Sequence, residues 1–275
     1  MRLNLSEALQ SLKAENRSVE LLNYTDMITN NFISNVTEEV KVVHMIALGN
    51  EFYEKINWTM LVSVISAMNP TYRITIWREL DVVRFISENY TSYMLLYEKL
   101  SYISWKSDLA RYLILYSYGG IYLDVDMLPF MGFDEMKSSI GHPSQIFVIG
   151  GRKRKPYQGC NGFIVTTKKN PLFLTLIDHM GADVATSREH TLHVTRFYKV
   201  LDHIYGGIGD FRRIRDTYFF RERWVGPDWR WAIYMNNTNQ ILLSNGNKDK
   251  WPPFFNNSQN HTNHSWPKFR SNILK

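Results

Sequence analysis

An α/β domain behind a short helical extension is what the sequence predicts, and three observations predict it. At 275 residues the chain is long enough for one domain to bury a sizeable core. Two apolar runs, Lys41 to Asn50 and Ile121 to Val125, have the length and neighbouring glycines of buried strands. The second run directly follows a helical pattern that stops at Gly119-Gly120. No internal repeat is visible, and no stretch reaches the roughly 18 apolar residues needed to span a bilayer. The expected division is therefore an extension over 1–40 and one domain over 41–275.

Taken in order, the first 40 residues place Leu5, Leu9, Leu12 and Leu21-Leu22 among polar residues, with Ser6 as an N-cap and no Gly or Pro. One or two short helices are expected, serving as a packing flange or as a surface that docks on a membrane. Lys41 to Ala47 reads as a first strand, closed by the Gly49-Asn50 turn. Asn69-Pro70 turns into a second, alternating strand up to Trp77. A helix follows with Ser107 as its N-cap and Asp108 in its first turn, and Gly119-Gly120 leads from it into the strand that begins at Ile121. Cys160-Asn161-Gly162 opens a further strand, with Asn161 either a site residue or a plain turn asparagine.

The helix-to-strand unit carries the chemistry. Alternate residues of an extended segment share a face, so Tyr122, Asp124 and Asp126 point one way and Ile121, Leu123 and Val125 the other. Two carboxylates about 6–7 Å apart at the end of a buried strand repel each other and lose hydration. A divalent cation relieves both costs, and hard ions such as Mg²⁺ or Mn²⁺ favour carboxylate oxygen together with phosphate and water. The plainer alternative is a pair of exposed acids at a strand-to-turn junction. Asp108 and Arg111 stand at i, i+3, either as a capping acid with a local ion pair or as site residues. The short Gly-Gly link folds the strand back along the helix, which can bring Asp108, Arg111, Tyr122, Asp124 and Asp126 into one cleft.

On these residues, Ser107-Asp108-x-x-Arg111 and Gly119-Gly-Ile-Tyr-Leu-Asp-Val-Asp126, the chain resembles the Asp-X-Asp sugar-nucleotide glycosyltransferases. The group holds the yeast initiating mannosyltransferases, the animal α-1,4-galactosyltransferases and the glucosylating domains of large clostridial toxins. The resemblance is densest over 104–130 and weaker from 41 to 266. It implies a GT-A-type nucleotide-diphospho-sugar transferase fold, a mostly parallel central sheet flanked by helices with the site at the strand ends. It also implies roles. The acid matching Asp124 contacts the donor ribose and sugar, and the one matching Asp126 ligates Mn²⁺ (or Mg²⁺), so Asp126, Asp124 and a late His264 form the implied metal set. Residues matching Asp108 and Arg111 hold the transferred sugar, and Tyr122 lies beside the nucleotide. Ala47 stands where the family often has an aromatic that stacks on the base, while Asn161 matches a segment under sugar and acceptor. Trp224-Val-Gly226-Pro227 resembles the family's Gly-Pro turn, and Asn260 to Trp266 its closing element, with Ser265 and Trp266 on the diphosphate. A polar tail with chance histidines is the alternative for the last of these.

The function implied is metal-dependent transfer of a hexose or N-acetylhexosamine from a nucleotide diphosphate sugar, UDP-linked in the first instance, to an acceptor hydroxyl with retention. Glycan, glycolipid or protein acceptors all fit. Two other classes compete: a catalytically silent carbohydrate-binding relative, and a haloacid-dehalogenase-type phosphatase, which wants Thr or Val where Leu128 stands. The net charge of +6 includes the runs Arg152 to Lys155 and Arg212 to Arg215, too short and without a recognition module for nucleic acid. A basic rim that attracts a diphosphate or an acidic membrane is the simpler reading. Cys160 is the sole cysteine, which excludes an intramolecular disulfide and suits a buried thiol. Ten of 22 asparagines stand in Asn-x-Ser/Thr sequons, against about three expected from the Ser/Thr content. That excess points to a secretory-pathway lumen such as the Golgi, with an anchor absent from this chain; a cytoplasmic location is the alternative, since the first residues lack a signal peptide's apolar core.

Overall fold

A computed structural model describes residues 40–49, 58–125, 127–129, 131–150, 158–185, 192–208, 212–224, 231–234 and 241–244. The expected helices of the extension lie outside these residues. Strand β1 (Val42–Ala47) is followed by helix α1 (Trp58–Met68), β2 (Arg73–Arg78), α2 (Glu79–Asn89), α3 (Thr91–Lys99) and α4 (Ile103–Tyr118). Then come β3 (Gly120–Leu123), β4 (Leu128–Pro129), α5 (Phe133–Ser139), β5 (Gln145–Gly150), β6 (Gln158–Thr166), α6 (Leu172–Ala185) and α7 (Leu192–Tyr205). The last strands are β7 (Arg212–Ile214), β8 (Thr217–Trp224), β9 (Trp231–Tyr234) and β10 (Ile241–Ser244).

One sheet holds all the described strands in the order β2-β1-β3-β6-β5-β8-β9-β10-β4, with β7 beside β8. The α/β class is as expected, but the sheet is mixed rather than mostly parallel. Parallel pairing joins β2, β1 and β3 on one side and β5 to β8 on the other. Between them β6 runs antiparallel to both β3 and β5. The parallel pairs sit where a helix provides the crossover, as α1 does between β1 and β2; strands joined by short loops return antiparallel. As a result β1, β2, β3, β5 and β8 all end at the same edge of the sheet.

Alternation along the strands splits the core into two layers. Val43, Met45, Ala47, Ile121, Leu123, Phe163 and Val165 face Leu61 and Ile65 of α1 and Phe133 and Met136 of α5. Ile46, Leu48, Tyr122, Ile164 and Phe147 face the other way, onto buried residues of α2, α3, α4, α6 and α7. The sheet is thus covered on both faces, which is why its strands read as nearly continuous apolar runs.

The helix of the 107–126 unit begins earlier than its sequence suggests. Tyr102 is its N-cap, and the amides of Trp105 and Lys106 both donate to the Tyr102 carbonyl. Ser107 is therefore a helical residue in the second turn, not a cap. Burial of Trp105 against the core explains the extra turn. The helix ends as expected: Gly119 has φ 64° and donates its amide to the Leu115 carbonyl. A Cβ there would lie 2.5 Å from the Lys168 backbone nitrogen, and one on Gly120 (φ +87°) 2.6 Å from the Val42 carbonyl oxygen. Both glycines are required by positive φ and by close backbone approach.

Candidate active site

Because α4 runs back to the start of β3, its N-terminal half lies over the C-terminal end of that strand. Asp108 and Arg111, one turn apart, face Tyr122 and Asp124 there, so four of the five residues expected in one cleft meet; the fifth, Asp126, lies outside the described residues. Arg111 is the hub. Its Nη1 donates to the Asn161 carbonyl at 2.6 Å, and its Nη2 donates to Ser107 Oγ at 3.3 Å. The same Nη2 stands 3.4 Å from Asp108 Oδ1 and 3.3 Å from Asp124 Oδ1. The guanidinium lies over the Tyr122 ring, 4.3 Å from its centroid. Burial works against this charge, yet Tyr122, Asp124 and Asp108 outweigh it and hold Arg111 protonated, above its ordinary range.

Tyr122 donates its hydroxyl to Asp124 Oδ1 at 2.7 Å. Burial, first, and the neighbouring carboxylate push its pKa well above the usual phenol value, so the donor proton stays in place. Asn161 completes the group: its Nδ2 donates to Asp108 Oδ1 at 2.8 Å and to the Tyr112 hydroxyl at 3.1 Å. Strict alternation from Phe163 would turn Asn161 toward α1. A register break in β6, whose Val165 pairs with Ile146 and Cys160 with Val148, lets it reach the α4 side instead.

The strand itself ends at Leu123. Asp124 extends the ladder through its amide to the Gly162 carbonyl, and the Met127 amide donates to the Asp124 carbonyl. The reading of 121–126 as one extended segment is corrected at this point. Asp126 lies outside the described residues, as do His264, Ser265 and Trp266, and so do Gly226 and Pro227. Ala47 is not brought to the group; it is buried in the layer against α1, on the opposite face from Tyr122. His44 is a buried core histidine: Trp77 Nε1 donates to its Nδ1 at 3.2 Å, so its Nε2 carries the proton and donates to the Gly119 carbonyl at 3.1 Å.

Among the described residues the counter-charge nearest Asp124 is Arg111, and the same guanidinium serves Asp108. Two carboxylates against one guanidinium still leave the group with a net charge of minus one. Asp124 is about a third exposed and keeps Oδ2 outside its bonds to Tyr122 and Arg111, next to Gly162. A free carboxylate oxygen in a negative site suits a hard divalent cation. Among the described residues no group of three or more His, Cys, Asp or Glu side chains could hold an ion alone.

Sequence reasoning missed Tyr112, whose i, i+4 spacing from Asp108 was the available signal, and Gly162. A Cβ on Gly162 would stand 2.7 Å from Asp124 Oδ2 and 3.0 Å from Met127 Sδ. The basic run Arg212 to Arg215 is not a rim of this site. It begins the β7–β8 hairpin at the opposite edge, where Arg213 Nη1 donates to the Ile140 and Gly141 carbonyls.

Residues 56–142 match the family model described as a glycosyltransferase sugar-binding region containing a DXD motif. That region holds every charged residue of the group. It is similar to inositol phosphoceramide mannosyltransferase 3 of Schizosaccharomyces pombe, 31% identical over 113 residues, covering 41% of this chain and 31% of the relative. Inositol phosphoceramide mannosyltransferase 1 of the same yeast is 30% identical over 144 residues, 51% of this chain and 42% of the relative. The chain thus spans less than half the length of these relatives. Among solved structures, the PaToxG glycosyltransferase aligns with a TM-score of 0.46 at 19% identity, over 71% of this chain and 78% of that one.

Proposed function

We propose that the chain transfers a hexose from a nucleotide diphosphate sugar to an acceptor hydroxyl in a metal-dependent reaction. The observation that carries this is the Arg111-centred group at the strand ends, inside the matched family region. Asp108, Arg111 and Asn161 would hold the sugar, and Tyr122 and Asp124 the nucleotide side of the donor. Asp126, Asp124 and His264 would hold Mn²⁺ or Mg²⁺, with Ser265 and Trp266 on the diphosphate; Ala47 sits at the end of β1 without an aromatic to offer the base. Bound there, the cation would stabilise charge on the departing diphosphate, an effect worth several kcal/mol. Positioning by the chain's own residues supplies much of the rest, about 7–11 kcal/mol where reacting atoms are held together.

The two yeast relatives are named as mannosyltransferases acting on inositol phosphoceramide, which favours mannose and a glycolipid acceptor over the UDP-hexose that the wider resemblance suggests. Retention is what the wider resemblance implies, and the excess of Asn-x-Ser/Thr sequons supports a lumenal, Golgi-type location. Incubation of the chain with GDP-mannose, UDP-glucose or UDP-N-acetylglucosamine and Mn²⁺ tests the reading. Release of one free diphosphate, abolished by chelation and by Asp126→Asn in a folded protein, is the expected result. Thermal stabilisation by a donor without any release would identify a silent carbohydrate-binding relative. Inorganic phosphate release without sugar transfer would identify a phosphatase.

A further inference from the structure

We infer that Tyr112 is a positioning residue for the donor sugar, acting on Asp108 through the Asn161 carboxamide. The inference rests on the glycosyltransferase reading above and adds to it a residue that makes no contact with the donor.

The geometry begins with what each group can do. A carboxylate accepts only, so the carboxamide must turn its nitrogen toward Asp108 to bond it. That nitrogen carries two protons, and a buried amide proton without an acceptor is costly. Tyr112 accepts the second one at 3.1 Å while the first goes to Asp108 Oδ1 at 2.8 Å. Asp108 sets which end of the carboxamide faces it, and the hydroxyl, by taking the second proton, fixes the plane in which that end is held. It is itself held rigidly: Tyr112 is buried, stacked on Phe173 with centroids 5.9 Å apart and on Phe197 at 6.2 Å, interplanar angle 7°. Burial, and then the Asp108 charge, raise its pKa above the ordinary phenol value, so it stays neutral while it accepts.

The consequence falls on the ion pair. The short bond of Asp108 goes to a neutral amide, and the shortest bond of Arg111 goes to the backbone carbonyl of the same Asn161. Asp108 and Arg111 are left 3.4 Å apart, within Coulomb range but not closed on each other. Each charge thus makes its shorter bond to Asn161 and only a long ion-pair contact with the other, a contact that sugar hydroxyls can replace at little reorganisation when the donor arrives. Without the Tyr112 hydroxyl the carboxamide loses one of its two anchors and can turn, and the Asp108–Arg111 contact can shorten at the expense of the bond to Asn161.

The test compares Tyr112→Phe with wild type for binding of GDP-mannose against GDP and of UDP-glucose against UDP, with Mn²⁺ present, and for turnover. The variant keeps the ring stack and loses only the hydroxyl. Affinity for the nucleotide sugar should fall about tenfold, the equivalent of one buried hydrogen bond, while affinity for the free diphosphate stays within twofold. Tyr205→Phe serves as the comparison, because its part-buried hydroxyl bonds Gln145 at the far edge of the sheet; it should lower thermal stability and leave the sugar-to-diphosphate ratio unchanged. Equal loss on both ligands, no loss on either, or the same split in Tyr205→Phe would overturn the assignment of Tyr112. If wild type binds and turns over neither sugar nucleotide, the glycosyltransferase reading itself fails and this inference with it.

Discussion

At the residue scale, Arg111 and Gly162 place opposite demands on substitution. Arg111 addresses Asn161 with one nitrogen and Ser107, Asp108 and Asp124 with the other. A lysine has a single nitrogen and cannot span both directions, so Arg111→Lys is expected to fail nearly as fully as Arg111→Met. Removing the charge leaves buried Asp108 without its counter-ion, a loss of about 3–5 kcal/mol. Urea unfolding would read this as a lowered midpoint at unchanged slope, and donor turnover should be lost in both variants. Gly162 has an unremarkable backbone, and space is what restricts it. Gly162→Ala must displace the Asp124 carboxylate, whose Oδ2 would be 2.7 Å from the new methyl. The expected cost is about 1–3 kcal/mol in stability, with a larger proportional loss in turnover, because the displaced group is the one that Tyr122 orients. Wild-type turnover from a folded Gly162→Ala protein would show that Asp124 need not hold that position. Asp108, Arg111, Tyr122 and Asp124 were legible in the sequence because each is a charged or polar residue where a buried helix or strand needs a reason for it. Gly162 and Tyr112 were not, since a glycine beside an asparagine reads as a turn and a tyrosine in an apolar helix reads as core.

At the scale of elements, the strand that carries Tyr122 is fixed at its entry and after its exit. At the entry His44 on β1 donates to Gly119, the joint between α4 and β3, and Trp77 on β2 holds the imidazole in that tautomer. After the exit, the Phe133 amide at the start of α5 donates to Asn69 Oδ1 at 2.6 Å. The entry bond makes a prediction about pH. Burial, against the pull of the Gly119 carbonyl and assisted by the charge of Arg73, lowers the His44 pKa to about 4. The unfolded chain takes up this proton near pH 6.5 and the folded chain only near 4, so its contribution is complete above pH 6.5 and falls as pH drops through that window. The drop amounts to about 3 kcal/mol. His44→Gln, which offers an amide donor to Gly119 without titrating, should flatten the pH dependence of unfolding between 6.5 and 4; an unchanged slope would assign that slope to other groups. The elements themselves were legible wherever periodicity and glycines coincide, as at β1 and the α4–β3 joint. Two boundaries were not. The start of α4 is set by burial of Trp105 rather than by a capping serine, and the end of β3 by a turn that alternation cannot reveal. The antiparallel placement of β6 was equally hidden, because a buried strand has the same apolar pattern in either direction.

At the scale of the whole molecule, charge is distributed against the simplest expectation. The chain carries +6 overall, but the described part of the site is net negative, and the basic β7–β8 hairpin lies at the other end of the sheet. Arg213 there is committed to the Ile140 and Gly141 carbonyls and stands 3.6 Å from Asp216. Among the described residues, then, the hairpin's positive charge does not reach the place where a diphosphate would need it. A nucleotide diphosphate approaching Asp108 and Asp124 meets, among the described residues, one guanidinium already shared between two acids, and at a few ångströms in a partly buried site each uncompensated like-charge pair costs on the order of 4 kcal/mol. Binding should then depend on an added divalent cation rather than on the hairpin. Thermal unfolding with GDP or UDP present is expected to shift upward only when Mn²⁺ or Mg²⁺ is also present. At a ligand concentration a hundred times the dissociation constant the stabilisation is about 2.7 kcal/mol, and chelation should remove it. Arg213→Ala should lower the baseline stability through the lost carbonyl bonds while preserving the whole nucleotide-induced shift. A full shift in chelator would mean that the protein neutralises the diphosphate by itself, and the proposed metal set of Asp126, Asp124 and His264 would have no task.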